Sequence, residues 1–487
     1  MSYFLFLAVF AASLVSPAIG VAIVLFNLST LVFSWSSVTV AGGIVLKLSD
    51  AALIGLAVWL FWNWRGRLQS WERPFVMVLV CFAAAGFWRL CVGSADPTVS
   101  RICVAYNMVV RFGLLWILPI VVARCRQSAR AWILGAGAVF CVGVGLAQIY
   151  AYKTADASFI VSHFQGLNAA SEQMIEHVTA QGESYKVVAP GIILCFIAFF
   201  IALAGSFFIS AKTPFRLICA ALAVGILSFV IVAFRSKSFF ATACLGIVAI
   251  SALKPVFANA GWFRSVLVLC CMPALALLAG ALFERQFVEA TMARFDEDFS
   301  IHSASIGGRL GANLVAADVA LSFPIFGFGR ENLPASFGAS DYAASVATTN
   351  DGHAFVMLAA FAGLPTALLA TWALGGLLYL VPWKHLGNLP WLIVGYLGGI
   401  VATLCLALTN ATPLFNQPFA LAPFLIVCGL LVAELEVARA SKPIGSKGAS
   451  SAWRSGRSSV FCRKARNAAR RSGPRQLVPL HFKSRCV

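Results

Sequence analysis

The sequence predicts an all-α polytopic membrane protein with about twelve transmembrane helices and one large polar loop before the last three. Composition is the first observation, because 60% of the 487 residues are hydrophobic and 11% are charged, against about 45–50% and 25% in soluble domains. The second is the recurrence of long apolar runs, since a helix needs about 20 residues to cross the hydrocarbon core. The third is that Arg, Asp, Glu, Gly and His concentrate in the single stretch 283–352.

The apolar runs predict spans near 3–26, 47–64, 74–95, 103–122, 131–150, 187–210, 215–233, 238–253, 263–282, 353–380, 389–409 and 414–436. Pro17 and Gly20 interrupt the first run, so it is either one tilted helix or two short ones. Its opening residues, MSYFLF, lack the basic region of a cleaved signal peptide, so we expect this segment to remain on the chain.

The distribution of Lys and Arg predicts the orientation, because basic residues near span ends stay in the cytoplasm. With the N-terminus inside, every inner link and the tail are basic. The large loop 283–352 falls outside and carries nine acidic residues against four arginines. The prediction is a membrane domain at 1–282 with about nine spans and an outer loop at 151–186, then a large periplasmic loop at 283–352, the last three spans at 353–436 and a cytoplasmic tail at 437–487.

The net charge of +18 comes mostly from the tail, where Arg439 to Arg485 supply thirteen cations and no acid. A disordered segment that meets anionic lipid is the favoured interpretation, and nucleic-acid binding is not expected, because aromatic residues are not interleaved with the cations. The fourteen cysteines avoid both long outer loops. We therefore expect neither disulfides nor a structural metal.

Arg235 and Lys237 lie between two apolar runs with almost no loop to hold them away from the bilayer. Cations in such a place are costly and usually have a partner or a function. The number of preceding spans places them at the outer leaflet, where lipid phosphates or diphosphates are natural partners. A cation that merely extends to the interface is the alternative.

Arg309 follows Gly307 and Gly308 and opens a predicted amphipathic helix in the large loop, ending near Ser322 before Pro324. Its apolar face is predicted to carry Leu310, Leu314, Ala317 and Leu321. The first turn of a helix presents free N–H groups and a positive dipole end, and an arginine there adds a fork for phosphate oxygens. An ordinary surface arginine is the alternative.

Gly327-Phe328-Gly329-Arg330 follows Pro324 and is a candidate for backbone approach to a ligand, although a structural turn explains the same pattern. His353 stands after the capping residue types of TTNDG and opens a predicted span. A neutral imidazole beside a helix N-terminus is suited to act as a general base. Asp351 would orient that imidazole or only cap the helix, and an interfacial histidine without catalytic function is the alternative.

These residues in this order resemble the O-antigen ligase and polymerase superfamily. The resemblance rests on an Arg at a span end (Arg235), the loop pattern R-L-x-x-N-x-x-x-A-D-x-A-x-x-x-P-I-F-G-F-G from Arg309, and a His opening a helix that ends in F-x-G-L-P. It covers the architecture broadly, and its motifs cover about 231–242 and 307–366. Ala354, where the family often has Asn, and Ala362, where it often has an acid, are departures.

The resemblance implies a glycosyltransferase of the bacterial inner membrane, with both termini cytoplasmic, acting on a polyprenyl-diphosphate-linked glycan at the periplasmic face. His353, Arg309 and Arg235 would be catalytic, and Lys237, Arg330, Asp351, Gly327 and Gly329 would bind substrate. The acceptor would be another glycan, in an exopolysaccharide or O-antigen polymerase, or the lipid A core, in a ligase. Arginines that stabilise the leaving diphosphate can replace a divalent cation, so no metal and no cofactor is expected.

Two other classes of function also fit the sequence. A transporter or flippase of glycolipid or solute would also have many spans and intramembrane cations, although no internal repeat of the transporter kind is visible. A non-catalytic scaffold in envelope assembly would tolerate loss of His353.

Overall fold

The computed structural model describes residues 2–29, 37–39, 44–63, 68–92, 100–154, 192–208, 213–234, 242–247, 250, 273–275, 278, 304–329, 353–409, 414–415 and 418–441, and these residues are mostly helical. The helices are α1 (Ser2–Val15), α2 (Pro17–Ser29), α3 (Leu48–Trp62), α4 (Glu72–Val92), α5 (Arg101–Tyr106), α6 (Leu118–Arg124), α7 (Gln127–Thr154), α8 (Ile192–Phe208), α9 (Thr213–Phe234), α10 (Ala304–Ser322), α11 (Ala354–Ala362), α12 (Leu364–Tyr379), α13 (Trp391–Thr409) and α14 (Pro418–Ser441).

Three helical segments in these ranges are long and apolar enough to cross a membrane: Glu72–Val92, Arg101–Arg124 and Ala420–Ala440. The second joins α5 to α6 through a π-helical segment, Asn107–Gly113, and a 3₁₀ segment, Leu114–Ile117. Eight further apolar helices in the described ranges are shorter. The chain is therefore a helical membrane protein, and the number of twelve spans stays a prediction.

The first apolar run forms two short helices, not one tilted helix, and they separate next to Pro17. α1 ends at Val15 and α2 begins at Pro17, where a proline loses nothing because the first helical N–H has no partner within its helix. α3 packs across the junction, and Gly55 brings it close to Phe10 and Ser13 of α1. The fold class also missed a short antiparallel hairpin, β1 (Ser37–Thr39) with β2 (Val45–Lys47).

α14 is the central helix of the described part of the chain. Of its 18-residue apolar window 83% is buried, against 33% for the corresponding window of α4. It packs against α6, α13 and α2, and Gly429 allows close contact with Pro119 and Val122 of α6. α4 instead exposes most of its apolar surface, as a helix that faces lipid does.

A buried acid fixes the beginning of α4. The Glu72 carboxylate, fully buried, accepts from the Gln69 N–H just before the helix at 2.9 Å, and the Arg124 guanidinium donates to both of its oxygens at 2.9 Å. A paired, hydrogen-bonded carboxylate is the form in which a buried acid is tolerated. This pair ties α4 to α6.

The predicted span 353–380 is two helices rather than one. α11 ends at Ala362, Gly363 has φ +92°, and α12 begins at Leu364 with Pro365 in its first turn. The expectation of one long helix was wrong because Pro365 has no N–H to continue the hydrogen bonding of α11, so the chain turns at Gly363 and a new helix begins around the proline.

Candidate functional site

α10 and α11 form a parallel helix pair, and the sequence motifs meet along it. At one end, the His353 backbone N–H donates to the Asn313 side-chain oxygen at 2.5 Å. At the other end, the turn after α10 contacts the junction of α11 and α12. Since Asn313 faces His353 and the turn ten residues later faces Gly363, the two helices run in the same direction.

The buried face of α10 consists of small residues that allow α11 to approach. These are Gly311, Ala312, Val315, Ala316, Val319 and Ala320. The predicted apolar face does not pack inward, because Leu314 and Leu321 on it are 46% and 72% exposed. Small side chains at i, i+3 and i+4 spacing permit close helix packing where leucines would hold the helices apart.

The helix also begins earlier than expected. α10 starts at Ala304, so Arg309 lies in its second turn, and the argument that placed this arginine among the free N–H groups of the first turn was wrong. The helix does end at Ser322, as predicted. Arg309 is four residues before Asn313, which puts the two positions on the same side of α10, one turn apart. Position 309 is therefore one turn from the residue that contacts His353.

His353 is the N-cap residue of α11 and is partly exposed. Its imidazole forms no capping hydrogen bond with the helix, and its backbone N–H is already satisfied by Asn313. The backbone is thus held by another helix while the ring takes no part in capping. The prediction that His353 opens a helix is confirmed.

Gly327 and Gly329 contact protein backbone. Both have positive φ, +64° and +85°. The N–H groups of Phe328 and Gly329 donate to the carbonyls of Ala360 and Phe361 at 2.7 and 3.0 Å, and a Cβ on Gly327 would overlap Phe361. These glycines dock the turn onto the end of α11, and their proposed contact with substrate stays a prediction.

Gly363 completes this contact from the other side. The Leu364 N–H donates to the Pro324 carbonyl at 2.8 Å, and a Cβ on Gly363 would overlap the Ile325 carbonyl oxygen. The patterns P-I-F-G-F-G and F-x-G-L-P are therefore two sides of one backbone contact. Their glycines are required because side chains would separate the two segments.

Arg89 of α4 is the residue that sequence reasoning missed. Its side chain is buried, and its guanidinium donates to the Gly327 carbonyl oxygen. It also lies over the rings of Phe323 and Phe328, 5.7 and 5.5 Å from their centroids. An arginine within the apolar run of a membrane helix was the signal that could have found it. This residue ties the turn after α10 to a membrane-capable helix.

Aromatic side chains also join α11 to α4 and to the π-helical segment. The Phe361 ring of α11 lies 5.8 Å from Phe82 of α4 and 5.2 Å from Phe112 of the π-helical segment. Ala354 and Ala362, the two departures from the family pattern, are fully buried in the same helix. α11 is thus held on three sides, by α10, α4 and the π-helical segment.

A second polar cluster surrounds Asp50, which is fully buried in the first turn of α3. Its Oδ2 accepts from the Tyr106 hydroxyl at 2.8 Å and lies 3.5 Å from Arg111, which also donates to the Val45 carbonyl oxygen and lies over the Tyr106 ring. Among the described residues, none forms a hydrogen bond with its Oδ1. Arg111 lies in the π-helical segment, and π-helical turns are frequent at functional sites.

The remaining predicted site residues, Arg235, Lys237, Arg330 and Asp351, lie outside the described residues. So do the acids Asp296, Glu297 and Asp298 and most of the predicted outer loop 151–186 and tail 437–487. The described parts of these two segments are helical, because α7 continues to Thr154 and α14 to Ser441. The structure therefore brings together the Asn313 end of α10 with His353, and Gly327 and Gly329 with the α11–α12 junction.

Comparison with known proteins adds no relative. No protein-family model, no curated protein and no solved structure matches the chain.

Proposed function

We propose that this protein is a membrane glycosyltransferase that transfers or polymerises a polyprenyl-diphosphate-linked glycan at the periplasmic face. The observation that carries the proposal is the hydrogen bond from the His353 N–H to Asn313, one turn from Arg309. It supports the proposal because it holds the residue of the candidate base within about one helical turn of position 309, the candidate phosphate-binding position on the other helix. The family resemblance supplies the substrate class.

The proposed reaction is a single displacement at the anomeric carbon. The acceptor hydroxyl oxygen attacks that carbon, and its proton passes to the His353 imidazole. The bond from the anomeric carbon to the donor phosphate oxygen breaks, and polyprenyl diphosphate leaves with the bonding electrons. Arg309, Arg235 and Lys237 would stabilise the charge on that diphosphate, while Arg330 and Asp351 would contact substrate or orient the base.

Because cationic side chains would neutralise the leaving group, the proposal includes metal independence. We expect the purified protein, supplied with lipid-linked donor and acceptor, to keep most of its activity in excess chelator. A loss of activity that added Mg²⁺ or Mn²⁺ restores would contradict this part of the proposal and direct attention to Asp296, Glu297 and Asp298.

The acceptor decides between the two forms of the proposal. A polymerase joins one lipid-linked repeat to another, whereas a ligase transfers finished chains to the lipid A core. A deletion strain distinguishes them by its lipids: loss of a ligase leaves long chains on the polyprenyl carrier, and loss of a polymerase leaves single repeats.

The Asp50 cluster favours a second candidate, a transporter or flippase. A buried carboxylate with one oxygen that no described residue pairs, beside an arginine in a π-helical segment, is the kind of intramembrane site that transport proteins use. Asp50→Asn separates the candidates. A transporter would lose movement of its solute or glycolipid, whereas a glycosyltransferase would keep its reaction in detergent, where no transport is needed.

The decisive test is complementation of a deletion strain with His353→Ala, Arg309→Ala and Arg235→Ala, with surface polysaccharide displayed on gels and protein abundance measured in membranes. Matched controls are His385→Ala and Arg126→Ala, which lie on connections predicted to be cytoplasmic. Loss of polymer at normal abundance in the three variants alone would support a glycosyl-transfer site. Full rescue by His353→Ala would remove the base and favour transport or scaffolding.

A further inference from the structure

The end of α10 and the turn that follows carry exposed apolar side chains in a segment that the charge pattern assigns to water. Leu321 is 72% exposed, Phe323 42% and Ile325 61%, and Pro324 between them is also exposed. Asp318, exposed one turn earlier, is the last charged residue before this group. A contiguous apolar surface of this kind marks contact with another apolar phase.

This surface continues the exposed apolar surface of α4. The Phe326 ring stacks on Trp88 with centroids 5.1 Å apart, and Phe87 and Trp88 are 68% and 43% exposed. α4 is one of the membrane-capable helices, and tryptophan is enriched where such helices reach the interface. The turn therefore lies beside the part of α4 that faces lipid.

Protein groups pair part of the backbone of the turn. A non-helical segment at membrane depth persists only when protein satisfies its polar groups, because lipid cannot. The Phe323 N–H donates to a carbonyl of α10, and the Gly327 N–H donates to the Phe323 carbonyl within the turn. α11, α12 and Arg89 pair the N–H groups of Phe328 and Gly329 and the carbonyls of Pro324 and Gly327.

We propose that the segment from Leu321 to Phe326 is inserted among the phospholipid acyl chains of the leaflet that the C-terminal end of α4 reaches, with Asp318 at the water boundary. Part of the loop predicted to be water-facing is then a membrane wedge, and α10 is anchored to the bilayer at its C-terminal end. Arg89 holds the wedge to α4 from the protein side. The proposal does not depend on the enzymatic reaction.

A photo-crosslinking amino acid tests it in the full chain, in nanodiscs of phosphatidylethanolamine and phosphatidylglycerol. Benzoylphenylalanine is placed at Ile325 or, separately, at Leu321, with Val80 on the exposed face of α4 as the lipid-facing control and Asp318 as the water-facing control. Intact-mass analysis should find phospholipid adducts at Ile325 and Leu321 at the level of Val80, and about fivefold or more above Asp318.

The same experiment can overturn the proposal. Adducts at Ile325 and Leu321 no more frequent than at Asp318 would place the segment in water. Crosslinks to a second copy of the chain would make the surface a protein interface. A parallel sample that also contains polyprenyl phosphate identifies which lipid contacts the segment. Adducts mainly with polyprenyl phosphate would contradict contact with bulk acyl chains and would show a specific prenyl-binding surface instead.

Discussion

The Asn313 side chain holds the candidate base, His353, through the backbone N–H of the histidine. Because this contact is a single hydrogen bond, a substitution can measure its contribution to stability and activity. Asn313→Ala removes the acceptor for the His353 N–H, which costs about 1 kcal/mol of stability and releases the start of α11. We expect reduced polymer formation at near-normal abundance, because the imidazole loses its fixed position while the packing of α10 on α11 remains.

Asn313→Asp is the matched control for that change, since it keeps an oxygen acceptor of the same length. We expect it to retain most of the polymer seen with the unaltered protein. Equal activity for the alanine and aspartate variants would mean that the contact does not position His353.

Arg89 makes the corresponding connection at the other end of α11. Arg89→Ala leaves the Gly327 carbonyl unpaired and empties the space beside Phe323 and Phe328. A hydrogen bond to a charged group contributes about 1.5–3 kcal/mol, so we expect a fall of several degrees in the Tm of the detergent-solubilised protein. Arg73→Ala, at an exposed position of the same helix, should change the Tm little. Equal Tm values for the two variants would show that the contact does not stabilise the fold.

The junction of α11 and α12 forms one structural element with the turn after α10. Gly363→Ala adds a Cβ where the Ile325 carbonyl oxygen lies, at a φ that side chains rarely adopt. We expect low membrane abundance. Gly375→Ala in α12 is the control, because no described residue lies within 4 Å of its added Cβ, and alanine is favoured over glycine in a helix by about 1 kcal/mol. Normal abundance of Gly363→Ala would contradict the docking.

The element boundaries illustrate what periodicity can and cannot predict. Long apolar runs located α4, α13 and α14 well, because helix length follows from the thickness of hydrocarbon. The apolar face of α10 that carries Leu314 and Leu321 is not the face that packs inward, which hydropathy alone could not show. In a membrane protein lipid accepts leucine as readily as the core does, and small residues mark the helix contact instead.

For the whole molecule, the charge pattern predicts a cytoplasmic N-terminus and an outer loop at 283–352. Alkaline phosphatase, active only outside the cytoplasm, should be active when fused at residue 170 or 340 and inactive at 66 or 386. The reason is that basic links are retained inside. Activity at 66 or 386, with none at 170 and 340, would invert the orientation and remove the site from the periplasmic face.

By itself, the sequence determined that this is a helical membrane protein, where most of the described apolar helices lie, and that His353 opens a helix, because these depend on hydropathy and local capping. It also singled out the two glycine motifs, P-I-F-G-F-G and F-x-G-L-P. Only the tertiary structure decided that P-I-F-G-F-G and F-x-G-L-P are partners, that Asn313 holds His353, and that the buried Arg89 and Asp50 have partners on other segments. These contacts join residues far apart in the chain, and one sequence contains no information about which distant positions meet.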